Sequence, residues 1–183
     1  VSTPVPPGAP GVRRRIASID QFRGYAILGM VFVNFVSRFD ATPWMLKHHR
    51  FGMSYNDTIA PIFMFVVGMG FRLSLMRHIE TVGLRTARID AAKRYLILTL
   101  IGAVVYFGYF WDALTDIGIG GLLALPLMDK SRGIRVLGAA ASLALFQCLF
   151  SLTPYGDWLM ANSLNGGPLG PLSWASILLA GSV

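Results

Sequence analysis

The stretch that decides the fold is residues 16–36, IASIDQFRGYAILGMVFVNFV, which reads as a transmembrane helix that carries polar groups. The fourteen residues 24–37 between Arg23 and Arg38 are uncharged, whereas a helix needs about 20 residues to cross the core of a bilayer. The membrane span must therefore either include the end that carries Asp20 and Arg23 or stop near Arg38.

Three polar residues of this helix are predicted to lie on nearly one face. Asp20 and Arg23 are three residues apart, so they are neighbours on a helix, and we predict an ion pair between them. Asn34 follows Arg23 by eleven residues, close to three turns. A polar stripe of this kind should face protein or a wet cavity rather than lipid. The alternative is a plain anchor helix whose Asp20 and Arg23 lie among the headgroups.

Composition assigns the chain to the membrane proteins. Of its 183 residues 54% are hydrophobic and 14% are charged, whereas soluble domains carry about 25% charged residues. The single cysteine, Cys148, excludes a disulfide within the chain. The net charge of +7 is explained by basic loops on the cytoplasmic side of a membrane, so we predict a lipid bilayer as the partner and no nucleic acid.

The pattern predicts an all-α fold: a polytopic transmembrane helix bundle of about six helices with a cytoplasmic N-terminus. Residues 1–15 are predicted to form a disordered, basic, Pro/Gly-rich tail, and residues 16–183 the transmembrane domain. The predicted helices cover residues 16–36, 57–76, 95–111, 116–128 and 136–152, and a sixth starts near residue 172.

Three features of the chain between these helices bear on the fold. Residues 77–94 are predicted to be a basic connector, with an amphipathic helix as one alternative, and residues 153–171 a loop rich in Pro, Gly and Asn. The fourth helix contains three glycines and Pro126, so we expect it to be broken, tilted or partly buried. Basic residues collect in alternate loops, which places the N-terminus inside. The four tryptophans then fall at the outer face, where an aromatic belt would lie; they are Trp44, Trp111, Trp158 and Trp174.

Polar residues outside the first helix suggest two further sites. The first outer loop carries His48 and His49, followed by Asp57, which fits the N-terminal cap of the second helix. A histidine in such a place suits general acid/base or acyl-transfer chemistry, although solvated interfacial histidines are the more common case. Adjacent histidines without further ligands do not predict a metal site. On the inner side, Arg23, Arg72 and the basic connector could hold the phosphates of a nucleotide-like cofactor.

Four segments together resemble the heparan-α-glucosaminide N-acetyltransferase family and its bacterial relatives. They are RIASIDQFRG at residues 15–24, MVFVN at residues 30–34, Lys47-His48, and D-x-x-x-P-x-F-x-F-x-x-G at residues 57–68. The resemblance covers residues 13–76. It implies a multi-pass membrane enzyme that takes an acetyl group from cytosolic acetyl-CoA and delivers it to an amine or hydroxyl of a sugar or glycan on the outer side.

The resemblance also implies roles for individual residues. The family's catalytic histidine lies in the first outer loop, where Lys47-His48 matches best, and His49 remains its rival. Asp57 would orient that histidine, and Arg23, Asn34 and Arg72 would bind acetyl-CoA. The family's chains are about twice as long, so we expect residues 16–183 to be an N-terminal fragment of a longer domain. A bacterial inner-membrane location and a homodimer are the corresponding expectations for localisation and assembly.

Two other functions remain open on the sequence alone. A membrane transporter or channel would equally explain buried charge and a broken fourth helix. A structural membrane subunit without chemistry would require neither the histidines nor Arg23. Binding of acetyl-CoA would distinguish the acetyltransferase from the transporter and from the structural subunit.

Overall fold

The computed structural model describes residues 16–47, 49, 52–105, 107, 109–163 and 166–183. This part of the chain is all-helical and contains no strand. Its helices are α1 (Ala17–Val36), α2 (Tyr55–Val82), α3 (Leu84–Val105), α4 (Ala113–Met128), α5 (Arg132–Leu152), α6 (Tyr155–Asn162) and α7 (Gly170–Gly181). Short 3-10 turns at Trp44–Leu46 and Gly167–Leu169 precede α2 and α7. The predicted all-α class is confirmed. The predicted tail at residues 1–15 lies outside the described residues.

The predicted basic connector at residues 77–94 is helical. The second helix continues to Val82, and α3 begins at Leu84, so only Gly83 separates them. Gly83 has a φ of 84°, a left-handed conformation that glycine adopts without steric cost and that ends a helix. The charged residues on either side contain no other helix breaker, which explains why both helices extend so far beyond the predicted bounds.

The predicted loop at residues 153–171 contains α6, so the described residues form seven α-helices rather than six. Pro154 precedes the first residue of α6, a place where its missing N–H costs nothing. A Cβ atom on Gly156 would collide with the carbonyl oxygen of Phe150. The absence of a side chain at this position therefore allows α6 to fold back closely on the end of α5.

The fourth helix is continuous, not broken, and half of its residues are buried. Its glycines are sites of close packing: Gly118 faces the hydroxyl of Thr99, and Gly121 faces the ring of Tyr95. Pro126 lies in the last turn, where the helix ends two residues later. The glycines that suggested a break therefore serve the contact between α3 and α4.

The apolar core lies where α2, α4 and α7 meet. Met64, Met128 and Leu178 are fully buried there. At the crossing of α2 and α7, a Cβ on Gly68 would collide with the carbonyl of Leu178, so two helix backbones are in direct contact. The first helix packs against α2 at the edge of this core.

Two helices, α2 and α5, are long and apolar enough to cross a membrane. The fourth helix is apolar but shorter. The sequence predicts six spans, and the structure supports the coarser conclusion that the bundle contains membrane-length helices.

Candidate functional site

A groove between α1 and α2 holds a cavity with a volume of about 820 Å³. The start of α1 and the second half of α2 form its walls. The lining residues are Ile16, Ile19, Asp20, Arg23, Gly70, Leu73, Ser74, Arg77, His78 and Thr81. Those from α2 recur at three- and four-residue intervals, so they share one face of that helix.

The cavity is cationic. Arg23 enters from α1 and Arg77 from α2, and Asp20 is the only acidic residue among the lining residues. Within the described part of the chain, neither guanidinium forms a hydrogen bond or an ion pair. A guanidinium has five N–H donors in a planar fork and suits a phosphate or carboxylate. The arrangement can therefore bind an anion.

Asp20 and Arg23 line the same cavity but do not form an ion pair within 4.0 Å in the structure described. The ion pairs between described residues lie elsewhere, at the ends of α2, α3 and α4. The predicted pairing of Asp20 with Arg23 thus stays a prediction.

A second cavity of about 240 Å³ lies between α2 and α3 and shares Ser74 and His78 with the first. Its wall is mainly apolar and includes Phe71 and Tyr95, whose ring centroids are 4.7 Å apart. The imidazole Nε2 of His78 lies 2.9 Å from Oδ2 of Asp90. This contact holds His78 at the boundary of the two cavities.

Arg72, a predicted cofactor-binding residue, does not line the described cavities. Its guanidinium donates a hydrogen bond to the carbonyl oxygen of Met128, the last residue of α4, and lies 2.9 Å from the sulfur of Met76. Terminal carbonyls of a helix lack intrahelical partners. In this structure Arg72 therefore caps α4, and Arg77 is the α2 arginine at the cavity. Arg77 belongs to the predicted basic connector at residues 77–94, which is predicted to hold phosphates as a group, and the continuation of α2 into this segment places Arg77 at the cavity.

Asp129 anchors the connection between α4 and α5. Its Oδ1 lies 2.6 Å from Nη2 of Arg88, and Lys130 is 3.6 Å from Oδ2. Burial alone would raise the pKa of Asp129, but the hydrogen bond and charge of Arg88 outweigh it, so that the pKa lies below the usual value. Arg88 therefore has a structural role in the connection between α4 and α5.

The outer-loop candidates are only partly described. His48 lies outside the described residues. The ring of His49 stacks on Trp44 with centroids 4.5 Å apart, and its Nε2 lies 2.9 Å from the carbonyl oxygen of Trp44. The neighbouring 3-10 turn thus holds His49 in place. The catalytic assignment of either histidine stays a prediction.

Asp57 lies in the first turn of α2 but is not its N-cap. Ser54 is the cap: its hydroxyl accepts from the amide of Asp57, and Oδ2 of Asp57 accepts from the amide of Ser54 at 3.0 Å. This reciprocal capping box satisfies two backbone donors at the helix start. The hydroxyl of Ser54 also donates to the carbonyl of Lys47 at 2.8 Å. Asp57 is thereby tied to the loop that precedes His48.

Asn34 is exposed, and the face of α1 that packs on α2 contains Ala26 and Val33 instead. The predicted polar face of α1 included Asn34, but in the structure the neighbouring residue Val33 is the one that is buried. Arg23 and Asn34 are eleven residues apart, or about 16 Å along the helix axis, so Asn34 lies well beyond the cavity.

Asp116 is a polar residue that the sequence analysis did not single out. It lies in α4 and is 0% exposed, and neither carboxylate oxygen has a hydrogen-bond partner in the described part of the chain. The signal was present in the sequence as an acid within an apolar, glycine-rich helix.

Comparison with known proteins identifies the family. Residues 15–178 match the family model described as heparan-alpha-glucosaminide N-acetyltransferase, catalytic. An uncharacterized 39.9 kDa protein in the amylase 3' region of Bacillus acidopullulyticus is 30% identical over 143 residues, which are 75% of this chain and 40% of that protein. Human heparan-alpha-glucosaminide N-acetyltransferase is 32% identical over 94 residues, which are 50% of this chain and 14% of the human protein. No solved structure matches.

The described residues form a helical bundle that contains two helices of membrane length. The chain belongs to the heparan-alpha-glucosaminide N-acetyltransferase catalytic family. The resemblance seen in the sequence is confirmed. The match spans less than half the length of each of these relatives.

Proposed function

We propose that the protein transfers an acetyl group from cytosolic acetyl-CoA to an amine or hydroxyl of a sugar or glycan on the outer side of the membrane. The observation that carries the proposal is the cavity of about 820 Å³ with Arg23 and Arg77 in its wall. Both guanidinium groups lack partners among the described residues, and acetyl-CoA is rich in phosphate. The phosphates would bind to these two arginines.

The thioester would have to reach from the cavity towards the first outer loop. Gly70 at the cavity and Asp57 at the start of α2 are thirteen residues apart, which is about 20 Å along the helix. The extended pantetheine arm of acetyl-CoA would run along the face of α1 and α2 that contains Ala26 and Val33, so the role predicted for Asn34 is not part of this route. The basic end of the bundle is then cytoplasmic, as the positive-inside rule requires, in an inner membrane.

At the outer loop His48 would act as the base, and Asp57 would support the loop that carries it. The base removes a proton from the acceptor, whose nitrogen or oxygen attacks the carbonyl carbon of the thioester. The C–S bond then breaks, and the thiolate of CoA leaves and takes up a proton. In the alternative route His48 first accepts the acetyl group itself and passes it to the acceptor. The sugar acceptor and a homodimer stay predictions.

The proposal is tested with the full-length protein by calorimetric titration with acetyl-CoA and by transfer of labelled acetyl to a panel of amino sugars. Arg23→Ala and Arg77→Ala should each weaken acetyl-CoA binding by about ten- to a hundredfold, because each removes charged hydrogen bonds. Arg38→Ala is the matched control, since Arg38 is exposed beyond the far end of α1. Equal affinities for all three variants would contradict the phosphate site.

The transfer assay examines the histidines. His48→Ala should lower turnover by about 10²–10⁴-fold and leave acetyl-CoA binding nearly intact, whereas His49→Ala should be much milder. The reverse result moves the assignment to His49. Normal turnover in both variants means that this mechanism does not operate.

A transporter is the second candidate, and Asp116 is the observation that favours it. A fully buried acid in a membrane helix is typical of proton and ion pathways. The continuous α4 removes the other argument for this candidate, a broken helix. Transport without acetyl-CoA, abolished by Asp116→Asn, would establish it.

A further inference from the structure

The position of the Arg23 side chain depends on the residue opposite it on α2. A Cβ atom placed on Gly70 would lie 2.5 Å from Nη2 of Arg23 and 3.7 Å from its Cζ. Apart from the two chain neighbours of Gly70 and the backbone of α2, these are the heavy atoms of the described residues within 4 Å of that Cβ. The space that a side chain at position 70 would fill is therefore the space that the Arg23 guanidinium occupies.

Other reasons for a glycine at position 70 can be examined in turn. Its backbone is helical, with no positive φ, so no turn demands glycine. Gly68 and Gly181 are different, since a Cβ on either would collide with the backbone of a neighbouring helix. Glycine inside a helix is otherwise less favourable than alanine. Room for Arg23 is the local reason that the structure offers.

We propose that Gly70 is a positioning residue: by lacking a side chain it lets the Arg23 guanidinium lie in the cavity, and it thereby sets the affinity for the phosphates of acetyl-CoA. This inference rests on the proposed function. The group that a methyl at position 70 would meet is the mobile end of a long side chain, not a backbone. Gly70→Ala should therefore leave the fold intact and displace the guanidinium.

The experiment is a double-mutant cycle in the full-length protein with Gly70→Ala, Arg23→Ala and the double variant. Gly70→Ala should weaken acetyl-CoA binding by about tenfold, the value of one charged hydrogen bond. The double variant should bind no more weakly than Arg23→Ala alone. Gly24→Ala is the matched control: it adds a methyl next to Arg23, where nothing lies within 4 Å, and its affinity should be unchanged.

Thermal unfolding provides a second readout that does not depend on acetyl-CoA. Gly70→Ala should raise the melting temperature more in the Arg23→Ala background than in the wild-type background, because the guanidinium that the new methyl would meet has been removed. If Gly70→Ala alone fails to fold and the double variant folds, the conflict between the two groups is demonstrated. A double variant that does not fold overturns the inference, because the methyl then meets something other than Arg23.

The two proposals fail in different ways. If Arg23→Ala binds acetyl-CoA normally, the phosphate site is wrong, and the melting temperatures still test the contact between Gly70 and Arg23. If Arg23→Ala weakens binding and Gly70→Ala does not, the phosphate site stands and the positioning role of Gly70 is overturned.

Discussion

Asp116 is an acidic residue that lies buried within the apolar helix α4. It is 0% exposed in α4, and its two oxygens have no hydrogen-bond partner within the described residues. Burial of an unpaired charge is costly, and even a neutral polar group without a partner costs about 1–3 kcal/mol. Asp116 therefore destabilises the fold, and a function that requires a carboxyl group would explain its presence.

Asp116→Asn should raise the melting temperature at alkaline pH, by an amount that corresponds to about 1 kcal/mol, because it replaces a buried carboxyl group that can ionise with an amide that cannot, with almost no change in volume. Differential scanning calorimetry in detergent measures the change. Asp157→Asn is the control, since Asp157 is exposed on α6 and its replacement should have little effect. A lower melting temperature for Asp116→Asn would contradict this expectation, because it would mean that the carboxyl group is more favourable at this position than the amide.

Several arginine side chains donate hydrogen bonds to carbonyl oxygens at the C-terminal ends of helices. Arg72 donates to the last carbonyl of α4, and Arg88 lies 3.4 Å from the carbonyl of Pro126. Arg135 at the start of α5 donates to the carbonyls of Lys130 at 2.5 Å and Ser182 at 3.0 Å. Cations are favourable there because the carbonyls are unpaired and the helix dipole is negative.

Arg135→Ala should destabilise the protein by on the order of 3 kcal/mol, because Arg135 is 5% exposed and its removal leaves the carbonyl of the buried residue Ser182 without this donor. Arg132→Ala removes the same charge from an exposed position one turn earlier on the same helix, and it should change stability by less than about 0.5 kcal/mol. The melting temperatures of the two variants are compared with that of the wild type. Equal losses would show that net charge, not the contact, determines stability.

For the whole molecule, side-chain contacts bring several helix ends to one end of the bundle. Arg88 near the start of α3 meets Asp129 after α4, and Arg135 near the start of α5 meets Ser182 after α7. The start of α1 and the later turns of α2 also lie together, because both line the same cavity. This end also contains most of the basic residues, which is the distribution expected for a cytoplasmic face.

Cysteine labelling in cells tests this orientation, after Cys148 is replaced by serine. Cysteines at positions 88 and 132 should react with a membrane-impermeant reagent only after the cells are opened, whereas a cysteine at position 158 should react from outside. The reason is that residues 88 and 132 belong to the basic end, and residue 158 lies in α6, in the connection from α5 to α7. Labelling of position 158 only after lysis would contradict the predicted topology.

The sequence by itself determined the all-α class, the family, and four of the long helices (α1, α2, α4 and α5) to within a few residues at one or both ends, whereas the helix predicted at residues 95–111 is observed at Leu84–Val105. These properties are local: apolar runs of helical length and a short motif can each be recognised without knowledge of the neighbouring helices. Arg23 was identified in the same way, as a charge in an apolar helix. Helix 6 was placed near residue 172, close to the observed start of α7.

The tertiary structure alone decided which polar groups meet. Arg72 and Arg77 are five residues apart on α2, yet one caps α4 and the other lines the cavity. The space that Gly70 leaves for the Arg23 guanidinium and the burial of Asp116 likewise depend on side chains and helices distant in sequence. The physical reason is that unpaired carbonyls, close helix crossings and desolvation arise only when helices pack, and no periodicity within one helix encodes its partner.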